Sequence, residues 1–167
     1  GLEFVGNAAG ANLGVVADRL KEITGSAVST EQAMRATASA ISSGINTAQL
    51  EGLTKIAKGA SLALGRDMGD ALDRLVRGVG KLEPEILDEL GIFVRLDDAA
   101  AAYAAQIGKT ASTLSQFERR QAFLNATLEQ GGEKFFDIAD SIDVNPYDKL
   151  ASSLANLQKQ FIGLLNN

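Results

Sequence analysis

STEQAMRATASAISSGINTAQLEGLTKIAKGASLALG, residues Ser29 to Gly65, sets the fold class. Ser29 reads as a helix N-cap with Gln32 at the third helical position. This is a capping box, in which each side chain satisfies a backbone N–H that the helix leaves orphaned. Val28 stands where a hydrophobic staple would, and the helix is read to carry Ala33, Met34, Ala38 and Ile41 inward before ending at Gly44. Asn46 with Gln49 repeats the cap, and Leu50, Leu53, Ala57, Ala60 and Leu64 follow at alternating steps of three and four, the spacing of a heptad seam. Cap, seam and glycine stop recur along the chain, so the predicted class is all-α.

Working outward towards the N-terminus, Leu13, Val16, Leu20 and Ile23 share one helical face and Gly25 ends it, while Gly1 to Gly10 reads as an arm or the end of an upstream element. On the other side Met68, Leu72, Leu75, Val76 and Val79 prolong the apolar stripe. Gly59, Gly65 and Gly69 each weaken a helix by about 1 kcal/mol relative to alanine, so one rod through this region needs packing to compensate. Asp70 with Arg74 and Asp73 with Arg77 are acid-before-base pairs four apart, which mark a solvent face. Pro84 suits the first turn of a short helix with Ile86, Leu87 and Leu90 inward and Gly91 as its stop. Ile92 to Leu96 is β-like but has no partner strand, and is expected to be an extended connector.

Asp97 or Asp98 is expected to cap an alanine-rich helix whose larger contacts are Tyr103 and Ile107 and whose stop is Gly108. Ser115 with Glu118 forms another capping box, opening a helix with Phe117, Leu124 and Leu128 inward and a stop at Gly131-Gly132. Phe135, Phe136, Ile138 and Ile142 make an apolar patch before Asn145-Pro146. Leu150, Leu154, Leu157, Phe161 and Leu164 then fall at four, three, four, three with polar residues between them. That stripe is the candidate oligomer contact, and equally fits the inner face of an ordinary bundle helix. Helices are predicted near 13–24, 29–43, 47–78, 84–90, 98–107, 115–130 and 146–166, in a helical region 1–80, a short-helix cassette region 81–145 and a coiled-coil-like amphipathic helix 146–167.

Composition agrees. With 167 residues, 46% hydrophobic, the chain can bury one ordinary core. Only 5% is aromatic, and 17 glycines stand against 2 prolines, a palette for close helix packing rather than for sheets. The net charge of -5 without a basic stripe disfavours gripping duplex phosphates. There is neither Cys nor His, which removes thiolate chemistry and the commonest general base and metal ligand. No signal-peptide pattern is in view, and the longest uncharged stretch, Ala36 to Leu50, is too short and polar to span a bilayer. The chain starts Gly1-Leu2-Glu3 and stops at Asn167 inside a helical pattern, so both ends are expected to be cuts in a longer protein.

Chemically the candidates are thin. Gly78-Val79-Gly80-Lys81 has glycines and a lysine but neither the spacing nor the terminal Ser/Thr of a phosphate-binding loop, and reads as a helix end and turn. Glu83 with Glu85, Asp88 with Glu89, and Asp97 with Asp98 sit at helix starts or solvent faces, where acids are favoured in any case. Arg119-Arg120 follows Glu118 with no aromatic platform and reads as a solvated face. No catalytic, cofactor or metal residue is expected.

Three runs in succession carry a resemblance: LVRGVGKLEPEILDELGI (Leu75 to Ile92), RLDDAAAAYAAQIGKTAS (Arg95 to Ser112) and SQFERRQAFLNATLEQG (Ser115 to Gly131). Their order resembles a block of the tape measure proteins of long-tailed bacteriophages, over about Ala60 to Phe161. The resemblance implies a structural protein of the virion that lies as helical strands in the tail tube, sets tail length, is anchored near the tail tip and takes part in DNA ejection. Implied partners are further copies of the chain, with a trimer favoured, the tail tube, distal tail and hub proteins, tail assembly chaperones and, during infection, the host membrane. No sequence-specific nucleic-acid contact and no cofactor is implied, and the family has no accepted catalytic residues to carry onto this block. The alternative is a membrane-active helical pore-forming or lysis protein, and a third a soluble helical adaptor.

Overall fold

The computed structural model describes residues 2–141, with side chains from Asn12 onward. The predicted helix 146–166 with Leu150, Leu154, Leu157, Phe161 and Leu164, and likewise Ile142 and Asn145-Pro146, lie outside the described residues. The chain order is α1 (Leu2–Ile23), α2 (Thr30–Ser42), α3 (Thr47–Leu64), α4 (Met68–Lys81), a 3-10 turn (Pro84–Leu90), α5 (Leu96–Ile107), a second 3-10 turn (Ala111–Thr113) and α6 (Gln116–Ser141). The protein is all-α, with no strand among the described residues.

All three capping boxes form. Ser29 Oγ accepts from the Gln32 N–H at 3.1 Å while Gln32 Oε1 accepts from the Ser29 N–H at 3.0 Å. Asn46 and Gln49 exchange the same bonds at 2.8 and 2.9 Å, and Ser115 and Glu118 at 3.1 and 2.9 Å. Gly65, Gly91 and Gly108 stop their helices in the left-handed conformation. Residues 92–95 are the extended connector the sequence suggested.

At the centre lies α3, of which no residue from Gln49 to Leu62 is exposed. It packs on α1, α4 and α6. Against α6 the contact is a zipper of large into small. An added Cβ on Gly52 would lie 2.8 Å from Leu128, one on Gly131 would lie 2.8 Å from Ile56, and one on Gly59 would lie 2.6 Å from the Phe135 Cβ. The paired numbers rise together, so the two helices run parallel. One continuous core spans Ala17 to Phe135 and draws on residues from both sides of position 80. The buried hydroxyls of Thr24, Thr37, Thr54 and Thr127 each bond the carbonyl four residues back, at 2.7 to 3.0 Å, and so are consumed within their own helices.

Several expectations are corrected. The arm at Gly1 to Gly10 is helical from Leu2. The single rod 47–78 is two helices, because Gly65 turns left-handed (φ 68°) and the Asp67 side chain caps α4 by accepting from the Asp70 N–H at 2.8 Å. Gly131-Gly132 does not stop a helix. Both are buried inside α6, where the absent side chains admit Ile56 and Phe136. The cap of α5 is neither Asp97 nor Asp98, which lie in its first turn; Arg95 holds that position without a side-chain bond.

Inward residues were also misassigned. Ala38, Ile41, Leu64, Ile107 and Phe117 are exposed, whereas Ala36, Thr37 and Ala40 of α2 and Ala99, Ala100 and Ala104 of α5 are buried. In both helices the face that meets its neighbours is lined by the smaller side chains. These let the backbones approach, and a large side chain there would overfill the gap.

The Ser115–Glu118 box gives the fold a testable pH dependence. The Ser115 backbone N–H, and then Lys109 Nζ at 2.9 Å, hold the Glu118 carboxyl below the ordinary carboxylate range. A depressed folded pKa means stabilisation that is present above the unfolded value and lost as pH falls through the folded one. Glu118→Gln is therefore expected to lower thermal stability at neutral pH, where the carboxylate is ionised, and to flatten its decline below about pH 4.5, so that the two proteins converge in acid. Parallel slopes for the two proteins in a pH series of melting curves would show that Glu118 titrates alike in both states.

Candidate interaction surfaces

Of the acids singled out in the sequence, Glu89 and Asp98 form ion pairs, whereas Glu83, Glu85, Asp88 and Asp97 form none among the described residues. Glu89 pairs with Arg66 at 2.8 Å and with Arg74 at 3.2 Å, and Arg74 also pairs with Asp70 at 2.9 Å. This network ties the first 3-10 turn to the start of α4. Hydrogen bonding to Asp70 raises the Arg74 pKa. Asp73 and Arg77 pair at 3.3 Å, as their spacing suggested. Gly78-Val79-Gly80-Lys81 forms the last turn of α4; a Cβ on Gly78 would press on Leu87 and one on Gly80 on Ser43, so these glycines serve close packing. Asp98 lies 3.9 Å from Arg95. Among the described residues no group of three or more acids is placed to hold a metal ion.

Arg119-Arg120 is not simply a solvated face. Arg119 donates to the Ala111 carbonyl at 3.1 Å. Half-buried Arg120 donates to the Ser43 carbonyl at 3.2 Å, and beside it Gln121 donates to the Gly44 carbonyl at 2.9 Å while accepting from Gln49 Nε2 at 2.9 Å. Exposed Phe117 lies over Gly44, whose φ of 77° and lack of a Cβ leave room for the ring. Together these residues lock the first turns of α6 onto the α2–α3 corner.

The surface with unspent capacity lies between α5 and α6, which run antiparallel from Phe93 beside Gln130 to Lys109 beside Glu118. A groove of about 410 Å³ between Phe93, Asp98, Ala102, Ala126, Glu129 and Glu133 leads into a smaller hollow of about 60 Å³ bounded by Tyr103, Gln106, Ala122 and Asn125. Phe93 stands at its mouth, 62% exposed. The Gln130 amide fixes it by accepting from the Phe93 N–H and donating to the Phe93 carbonyl, and Lys134 lies 5.7 Å from the ring centroid.

No protein-family model matches the chain, and no solved structure matches it. Among the described residues no helix is long and apolar enough to cross a membrane. The candidate oligomer contact Leu150, Leu154, Leu157, Phe161 and Leu164 lies outside the described residues. This groove was not singled out from the sequence, although Ala99 and Ala102 with the acids at 98, 129 and 133 carry its shallow floor and charged edge.

Proposed function

We propose that this chain is a segment of a phage tail tape measure protein, a non-enzymatic component of the virion that sets tail length, is anchored near the tail tip and takes part in DNA ejection. The observation that carries the reading is the succession of the three runs Leu75 to Ile92, Arg95 to Ser112 and Ser115 to Gly131. Supporting it, the runs occupy consecutive helical elements: the end of α4 with the first 3-10 turn, then α5, then the first half of α6. In this reading several copies associate, a trimer being favoured, and the terminal stripe is their contact. Tail tube, distal tail and hub proteins and the assembly chaperones are the surrounding partners, with the host membrane approached during infection.

The test is quantitative mass spectrometry of purified particles together with labelling by an antibody raised against the described domain. Peptides of this chain at a few copies per particle, with label at the distal end of the tail, are expected. Particles that lack the chain, or label confined to the head, would rule the reading out.

A further inference from the structure

We propose that the α5–α6 groove is a docking site for a helix of a partner protein whose apolar ridge is flanked by lysine or arginine. The inference does not depend on the function proposed above. Three features of the groove converge on that occupant.

Its floor is built of Ala99, Ala102, Ala122 and Ala126, single methyl groups that leave the space between two helices unfilled by the protein's own side chains. From Ala122 to Glu133 the α6 wall runs about 16 Å at helical rise, enough to seat about three turns of a partner helix. Phe93 offers at one end an exposed aromatic whose backbone is already held by Gln130, so little freedom is lost when it is covered.

Charge selects the partner. Glu129 and Glu133 line the groove four apart on α6, with Asp137 one turn beyond it; none of the three pairs with a cation among the described residues, and Arg95 lines the opposite wall. Like charges at this spacing repel, by about 0.2 to 0.5 kcal/mol per pair in an isolated helix. Asp98 adds an acid on the facing wall, shared only with Arg95. A cationic side chain lying along the groove relieves this repulsion, while a phosphate or an acidic helix adds to it.

The experiment uses the full 167-residue chain and a fluorescent amphipathic peptide of about 14 residues, with leucine and alanine on its ridge and lysine on its flanks, read by anisotropy. An isomer with glutamate in place of each lysine is the comparison. The lysine peptide is expected to bind saturably and the glutamate peptide at least about tenfold more weakly. Phe93→Ala and the pair Glu129→Lys with Glu133→Lys are each expected to weaken the lysine peptide about tenfold, with Glu85→Lys on the first 3-10 turn as an unaffected control. All four positions are exposed, so the variants are expected to keep the wild-type circular dichroism. No saturable binding up to about 1 mM, a weakest-class affinity, would overturn the proposal, as would equal binding of both peptides or indifference to the groove variants. Two further results would replace the occupant. Binding that emerges only in Leu154→Asp with Leu157→Asp would assign the groove to the chain's own terminal stripe, and self-association abolished by Phe93→Ala would assign it to a second copy.

Discussion

Replacing Gly59 by alanine is expected to destabilise the protein by about 2 kcal/mol or more, although alanine is the better helix former by about 1 kcal/mol. The new methyl would lie 2.6 Å from the Phe135 Cβ, with the Phe135 carbonyl oxygen also in its way. Contact begins in the ordinary range at about 3.4 Å, so α3 and α6 must part by the better part of an ångström. A backbone carbonyl cannot rotate aside as a side chain does. Parting the helices would also loosen the neighbouring insertions of Ile56 towards Gly131 and of Leu128 towards Gly52. At this chain length the loss corresponds to a melting temperature lower by about 4 to 8 °C. Gly14→Ala supplies the opposite sign. It lies within α1 with nothing inside 4 Å of the added Cβ, so only the gain in helix propensity remains, about 1 kcal/mol. Melting curves that rise for both variants would show that the α3–α6 crossing is looser than described.

The same crossing explains where the sequence was legible and where it was not. Ser29, Asn46 and Ser115 reveal their helices because a capping box is local: both partners lie within four residues, and no tertiary contact is needed to choose them. Gly131 and Gly132 look locally like Gly65, and the difference lies in what approaches them. Ile56 stands 75 positions before Gly131, so its insertion cannot be read from the glycine's own neighbours. Inward faces failed for a related reason. Ile41 and Ile107 are exposed, and beside the expected Ala33 the contacts of α2 are made by Ala36 and Ala40 and those of α5 by Ala99, Ala100 and Ala104. Where helices meet through small residues, hydrophobic size stops marking the buried side. The groove between α5 and α6 is a product of that habit, since alanine floors are invisible to a rule that looks for large apolar residues.

Under the association proposed above, Leu154→Asp combined with Leu157→Asp is expected to abolish self-association of the chain. The stripe Leu150, Leu154, Leu157, Phe161 and Leu164 keeps its four-three spacing with polar residues between, so several copies meeting there would enclose both positions of every copy. An uncompensated charge buried in such a seam costs about 3 to 5 kcal/mol, and each 1.4 kcal/mol is tenfold in an equilibrium constant. Two aspartates per copy therefore move the association midpoint by about four powers of ten or more, beyond any concentration reached in a light-scattering cell. Multi-angle scattering of wild type and variant is the measurement, with oligomer expected for the first and monomer for the second. A monomeric wild type, or a variant that assembles equally well, would make the stripe an inner face of its own bundle. The lysine peptide then separates the remaining cases, because a stripe folded back over α6 blocks the groove until the aspartates release it, whereas a stripe used between copies leaves the groove open in wild type and variant alike.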